Sequence, residues 1–261
     1  MSSLTHDRYC DEVISRTDAL RAALRGADLS AAVPTCPDWD LRELALHIGR
    51  VHHWVAEIVR TRSAEAIDLK QVPGTAPEGE DAAALDAWLA EGAAAAVQAL
   101  RAAGPEVKVW AWGWDGTTGF WARRMAHETI VHHADAALAT GTGYEVDPEL
   151  AADAIEEWLQ ILDFARSSGH ERAAGLTGPG SGTGHSLHLH ATDVPDAEWL
   201  IEFGEGGFGW SRVHGTADVA LRAPLTDLLL VLLRRLPVEH GGAEVAGDRG
   251  VLDFWLKNTE F

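Results

Sequence analysis

The stretch Phe120-Trp-Ala-Arg-Arg-Met-Ala-His-Glu-Thr-Ile-Val-His-His-Ala-Asp135 decides how the chain is read. Taken as a helix at about 100° per residue, its inner stripe falls on Trp121, Met125, Glu128, His132, Asp135 and Ala139. That stripe begins apolar and turns polar where Leu or Val would be expected. Burying an unpaired charge is costly, so such groups are paired, hydrogen-bonded or bound to a metal. Glu128 and His132 stand at i and i+4, about 40° apart, and can converge on one ion. Thr117 or Thr118 caps this helix, and Gly141 or Gly143 ends it.

Upstream, Asp40 with Glu43 three residues later forms a capping box that opens a helix over 41–62. Its inner stripe reads Leu44, His47, Ile48, Val51, Val55 and Ile58, again with one imidazole on an apolar face. His52 and His53 fall towards its flanks. With His127 and His133 they read as surface or supporting residues. Two further helices span 5–25 and 81–103, and a fifth spans 147–168 with Asp147 as cap and Pro148 at its first position. In an up-and-down bundle the second and fourth helices can face one another across the interior, bringing His47 to Glu128 and His132. Two imidazoles and a carboxylate suit Zn²⁺, with other divalent metals possible, and three ligands leave a position open. Asp135, one turn on, could orient a ligand. The plainer reading, an i,i+4 ion pair beside a hydrogen-bonded core histidine, stands beside the metal site. His127-Glu128-x-x-x-His132 only looks like the metalloprotease motif HExxH. Its histidines are i and i+5, about 140° apart, and cannot both chelate from a regular helix.

Between the third and fourth helices lies Val107-Lys-Val-Trp-Ala-Trp-Gly-Trp-Asp-Gly-Thr-Thr-Gly119. Either Trp112 and Trp114 line a ligand, or the loop packs over the end of the bundle. After a Gly, Ser and Thr-rich linker at 172–184 the period changes to two, over 186–192, 198–203, 209–214 and 217–222. Pro224 then opens an apolar helix over 225–235, and Asp248 a short last one. The expected fold is a two-domain α+β chain: an antiparallel four-helix bundle domain at 1–171 and a small α+β domain at 180–261. His188 and His190 share one face of a strand. A solvated face is the ordinary reading of such a pair, although it could bind metal.

The formal charge is −19, from 21 Lys and Arg against 40 Asp and Glu, which argues against nucleic acid and anionic membranes as partners. No apolar run reaches ~18 residues, so no membrane helix is expected. The first residues lack a signal-peptide pattern, and a cytoplasmic location is the default. Cys10 and Cys36, the only cysteines, are not expected to form a disulfide there.

Three blocks carry a family resemblance. Cys36-Pro-Asp-Trp-Asp-Leu-Arg-Glu-Leu-Ala-Leu-His47 and Trp121-Ala-Arg-Arg-Met-Ala-His-Glu128-Thr-x-x-His132-x-x-Asp135 resemble the mycothiol-dependent maleylpyruvate isomerase family of the DinB-like superfamily. His190-Ala-Thr-Asp, Glu198-Trp-Leu, Asp218-Val-Ala-Leu-Arg222-Ala-Pro and Gly247-Asp-Arg resemble its C-terminal domain. The resemblance implies a DinB-like metal bundle and a sterol-carrier-like α+β domain. It implies zinc on His47, Glu128 and His132, and mycothiol, an actinobacterial thiol, as cosubstrate. A zinc-activated thiolate would then isomerise an unsaturated small molecule, anionic or electrophilic. Arg222, then Arg123 or Arg124, are the candidate clamps for substrate carboxylates. Trp112 and Trp114 are the candidates for contact with mycothiol. A mycothiol S-transferase is the alternative, and a non-catalytic metal-binding or regulatory protein the second. A monomer or a homodimer is expected.

Overall fold

The computed structural model describes residues 4–169, 175–176, 184–240 and 242–259. The chain divides into two compact units, residues 1–144 and 145–261.

The first unit is built from four long helices: α1 (His6–Leu24), α2 (Leu41–Thr61), α3 (Ala82–Ala103) and α4 (Thr118–Thr140). Helix α1 packs chiefly on α4 and α3, and α2 chiefly on α3 and then α4. Each starts on a side-chain cap. Thr5 serves α1, Asp81 serves α3 and Thr117 serves α4, while Asp40 and Glu43 close the expected capping box of α2. Gly141 ends α4 in the left-handed conformation at φ 69°. Leu20, Leu24, Leu41, Leu44, Ile48, Leu85, Trp88 and Leu89 fill the core. Gly49 lets α2 and α3 approach closely, because a Cβ there would sit 2.1 Å from the Trp88 ring.

Three local differences from the sequence reading have physical causes. The loop before α2 is a small antiparallel hairpin of β1 (Ala32–Val33) and β2 (Cys36–Asp40). It is too short to show a period. The buried face of α2 is turned from the expected stripe: His52 is buried while His47 and Val51 lie at its margin. Helix α4 is buried on more than one face, so His127 and His133 are interior residues rather than surface ones.

The second unit begins with α5 (Pro148–Ser167), which was expected to close the first domain. An amphipathic stripe says that a helix has a core face without saying which core receives it. Here α5 packs on α6 (Leu225–Leu232) and on the sheet edge. Most of the expected linker at 172–184 lies outside the described residues. The five-stranded sheet has the order β5-β4-β3-β6-β7, where β3 is Ser186–Ala191, β4 Glu198–Gly204, β5 Gly207–Ser211, β6 Val219–Ala223 and β7 Glu244–Gly247. Neighbours are antiparallel except β3 and β6, which are parallel. Leu187, Leu189, Trp199, Ile201, Phe203, Val219 and Leu221 form its buried face. Helix α7 (Arg249–Asn258) packs there through Trp255 on Phe203 and Phe208. Among the described residues, no helix is long and apolar enough to cross a membrane.

Candidate metal centre

The structure brings His47 of α2 together with Glu128 and His132 of α4. His47 Nε2 lies 2.9 Å and His132 Nε2 3.5 Å from the same oxygen, Glu128 Oε1. One turn on, Asp135 accepts a 2.8 Å hydrogen bond from His132 Nδ1. That bond holds the proton on Nδ1, so that Nε2, which faces Glu128, is the nitrogen a metal would take. Asp135 is fully buried and is itself held by Thr35 Oγ1 at 2.5 Å and by the Cys36 thiol at 3.7 Å. Both come from the β1–β2 hairpin.

Arg124, one turn before Glu128, donates to Glu128 Oε2 at 2.9 Å. Arg124, expected as a clamp for substrate, holds the carboxylate so that Oε1 turns towards the two imidazoles. Trp39 packs against both rings, 4.8 Å from His47 and 5.7 Å from His132 between centroids. Burial works against charge at both Glu128 and His132. For Glu128 it is outweighed by the Arg124 charge and the imidazole hydrogen bonds, which hold the carboxyl well below its usual range. For His132 it is outweighed by the bonds to Asp135 and Glu128, which raise the imidazole to about 9.

The other expected site residues lie on several elements. Arg123 is half-buried on α4, one residue round from Arg124. Arg222 is exposed on β6, in register with His190 of β3. Trp112 and Trp114 are each edge-on to Phe120, while Trp110 packs with Trp54 and Trp121. His127 lies edge-on to Tyr9 of α1 and is not among the groups that converge with Glu128. His52 is bonded to Thr129 within the core, and burial lowers it to about 4. Cys10 and Cys36 are free thiols. Thr35, Cys36 and Trp39 were not singled out as parts of this site. The Cys36-Pro-Asp-Trp-Asp run immediately before α2, read only for its family resemblance, contains Cys36 and Trp39.

Three ligand atoms, His47 Nε2, Glu128 Oε1 and His132 Nε2, can thus meet on one ion, with a buried carboxylate behind and partly exposed groups in front. Cys36, His132 and Asp135 also lie within metal-binding distance of one another. That second set would take His132 Nδ1 from its hydrogen bond with Asp135 and would sit in the buried part of the site.

Comparison with known proteins places the whole arrangement. Residues 10–137 match the family model for the mycothiol maleylpyruvate isomerase N-terminal domain, and residues 149–254 match the one for its C-terminal domain. No curated protein matches the sequence. Two similar solved structures are a mycothiol-dependent maleylpyruvate isomerase and a histidine-to-alanine mutant of it. Each has a TM-score of 0.55 at 15% identity and covers 94% of this chain and 96% of its own. The fold is therefore shared over most of the chain, and with both domain models matched in order the chain belongs to the mycothiol-dependent maleylpyruvate isomerase family.

Proposed function

We propose that this protein is a zinc-dependent, mycothiol-using enzyme that isomerises a small cis-unsaturated diacid to its trans form, as maleylpyruvate isomerase does. The observation that carries the reading is the convergence of His47, Glu128 and His132 with Asp135 fixed behind them. Family membership supports the thiol and the reaction class. On this reading the first unit is a DinB-like four-helix bundle and the second a sterol-carrier-like domain.

Two imidazole nitrogens and one carboxylate oxygen fit a catalytic zinc site, since three protein ligands leave a position for substrate. The His47 set suits that role better than the Cys36 set, because His47 and Glu128 have side chains 31% and 24% exposed, whereas Asp135 is sealed. When bound, the ion would favour the deprotonated form of an incoming thiol and so supply a thiolate at neutral pH. The chain's own residues prepare the place. Asp135 fixes the His132 tautomer, Arg124 orients Glu128, and Trp39 limits rotation of both imidazoles.

The chemistry at the substrate needs little more. The thiolate sulfur adds to one alkene carbon, and the displaced electron pair moves to the conjugated carbonyl as an enolate. The former double bond rotates. The pair then returns and expels the thiolate, leaving the trans isomer and free thiol. No atom is gained or lost.

Zinc-loaded protein incubated with mycothiol and maleylpyruvate should form the trans product while the titratable thiol stays constant. His47→Ala should abolish this turnover together with one equivalent of bound zinc. Consumption of thiol with formation of a thioether would establish S-transfer instead. Failure to bind metal, with stability unchanged in His47→Ala, would rule out both enzymatic readings.

A further inference from the structure

A second group of metal-binding side chains stands on the sheet of the C-terminal unit. His188 and His190 of β3, Glu198 of β4 and His214 beyond β5 have ligand atoms that all lie within 4.8 Å of one another. Strand pairing builds it. His188 and His190 are two apart and share a face, and His190 lies directly across from Glu198. The segment after β5 returns over this face, with Gly215 so close to Leu200 that a Cβ would stand 3.2 Å from its side chain. That return delivers His214.

The geometry around Glu198 is poor for a plain ion-pair cluster. Three ring nitrogens crowd one oxygen, Oε2: His214 Nδ1 at 2.7 Å, His188 Nε2 at 2.8 Å and His190 Nδ1 at 3.1 Å. A carboxylate oxygen offers about two lone-pair directions, so it cannot satisfy three N–H donors. His188 is the one left over. It is 5% exposed, and its buried Nε2 lies close to the carboxylate without a well-directed hydrogen bond to any group. An orphaned buried nitrogen needs a reason. Four ligand atoms within 4.8 Å of one another supply one, because a cation held between them would satisfy all four at once.

We propose that His188, His190, Glu198 and His214 form a second divalent-metal site, of the zinc class, separate from the His47 centre. Three imidazoles and a carboxylate are borderline-soft donors of the kind that select zinc and its transition-metal neighbours over magnesium or calcium. Ligands about 2.1 Å from a tetrahedral ion stand roughly 3.4 Å apart, within reach of small rotamer adjustments of these side chains. All four positions are filled by protein, so the site is closed. Its role is to tie β3, β4 and the segment after β5 together rather than to bind substrate.

The test is metal stoichiometry, which needs no assay of activity. Full-length protein without affinity histidines is stripped with chelator, reloaded with zinc, freed of excess and analysed by elemental mass spectrometry. Wild type should hold two equivalents, and His47→Ala and the double variant His190→Ala/His214→Ala one each. His214 is exposed and His190 only partly buried, so the variant should fold. Glu198→Gln, which keeps shape, should also lose one equivalent, with circular dichroism checking both. Cobalt substitution should add visible absorption from both centres, and the sheet site's share should be lost in Glu198→Gln and kept in His47→Ala. A single equivalent in wild type that disappears in His47→Ala would overturn the proposal. So would two equivalents retained in the double variant. One equivalent lost only through the sheet variants would sustain this site while removing the metal from the proposed function.

Discussion

Two histidine–carboxylate clusters, one on helices and one on a sheet, use nearly the same side chains and are built in opposite ways. On the helices Glu128 is braced by an arginine, and one of its imidazoles is backed by a second carboxylate in the core. On the sheet Glu198 meets three imidazoles, with His214 79% exposed at the edge. The helical cluster is therefore supported from behind and open in front, an arrangement that suits turnover. The sheet cluster has four donors and, among the described residues, no buried second carboxylate hydrogen-bonded behind them, an arrangement that suits holding. The difference lies in supporting groups more than in the donors themselves.

Removing the brace should have the largest effect. Asp135 is fully buried and joins α4 to the β1–β2 hairpin through Thr35 and Cys36. Deleting one partner of a buried charged network costs about 3–5 kcal/mol. Urea unfolding of metal-free Asp135→Ala should show a loss of that size. Asp135→Asn should fold better yet bind zinc at the His47 centre about 10- to 100-fold more weakly in chelator competition, since it can no longer hold His132 in the same way. The sheet cluster should be indifferent to both changes. Equal weakening of the two equivalents would erase the contrast.

The second expected effect is on pH dependence of the metal-free protein. His132 has a folded value of about 9 against an ordinary 6.5. A group whose value is raised by folding stabilises fully below its unfolded value and loses that contribution as pH rises through the folded one. Stability should therefore fall between pH 6.5 and about 9, by an amount on the order of a few kcal/mol. Asp135→Asn should flatten this slope. An unchanged slope in that variant would detach the effect from His132.

The sheet cluster has the opposite sign. Burial opposes the charge on Glu198, but hydrogen bonds from His214 and His190 hold it at about 2 against an ordinary 4.5. Its contribution is present above 4.5 and is lost as pH falls towards 2. Burial also lowers His188, which adds loss on the same acid side. Glu128, His52 and His133 have lowered values too, so the helical unit also weakens in acid. The clean comparison is thus Glu198→Gln against wild type. Below pH 4.5 the variant should show a shallower decline, and near pH 8 the two slopes should coincide. A changed alkaline slope would break the separation of the clusters.

The two clusters were also unequally legible in the sequence. Glu128, His132 and Asp135 interrupt an apolar stripe at helical spacing, and a break of that kind points inward. His47 did the same on α2. What could not be read was long-range support. Thr35 and Cys36 reach Asp135 across about a hundred positions, and nothing in either segment names the other. On the sheet the difficulty was register. His188 and His190 alternate as a solvated face would, and only the pairing of His190 with Glu198 and the return of His214 make them a cluster. The strands of β3, β4 and β6 were visible from their period of two, whereas β7, four residues long, has no pattern to show. The stripe argument also assumes one buried face, which is why it left His127 and His133 as surface or supporting residues on a helix buried nearly all round.

The smallest expected effect concerns the tryptophan loop, which belongs to neither cluster. Trp112 and Trp114 are 37% and 41% exposed, and each meets the ring of Phe120 edge-on at 5.3 Å. Because two indoles cover one ring, either can be lost while the other stays. An edge-to-face aromatic pair contributes about 0.5–1.5 kcal/mol beyond its buried area, so Trp112→Ala should lower stability by little more than that in urea unfolding. The loop itself is tied down elsewhere: Lys108 bridges to Thr117, and Trp121 donates to the carbonyl of Trp110 at 2.8 Å. Its backbone should therefore persist in the variant, and neither zinc equivalent should change. A rise in KM for mycothiol with kcat preserved would set the exposed indole against the thiol. Loss of zinc from the helical centre would instead mean that the loop braces α4, whose first turn it covers through Phe120.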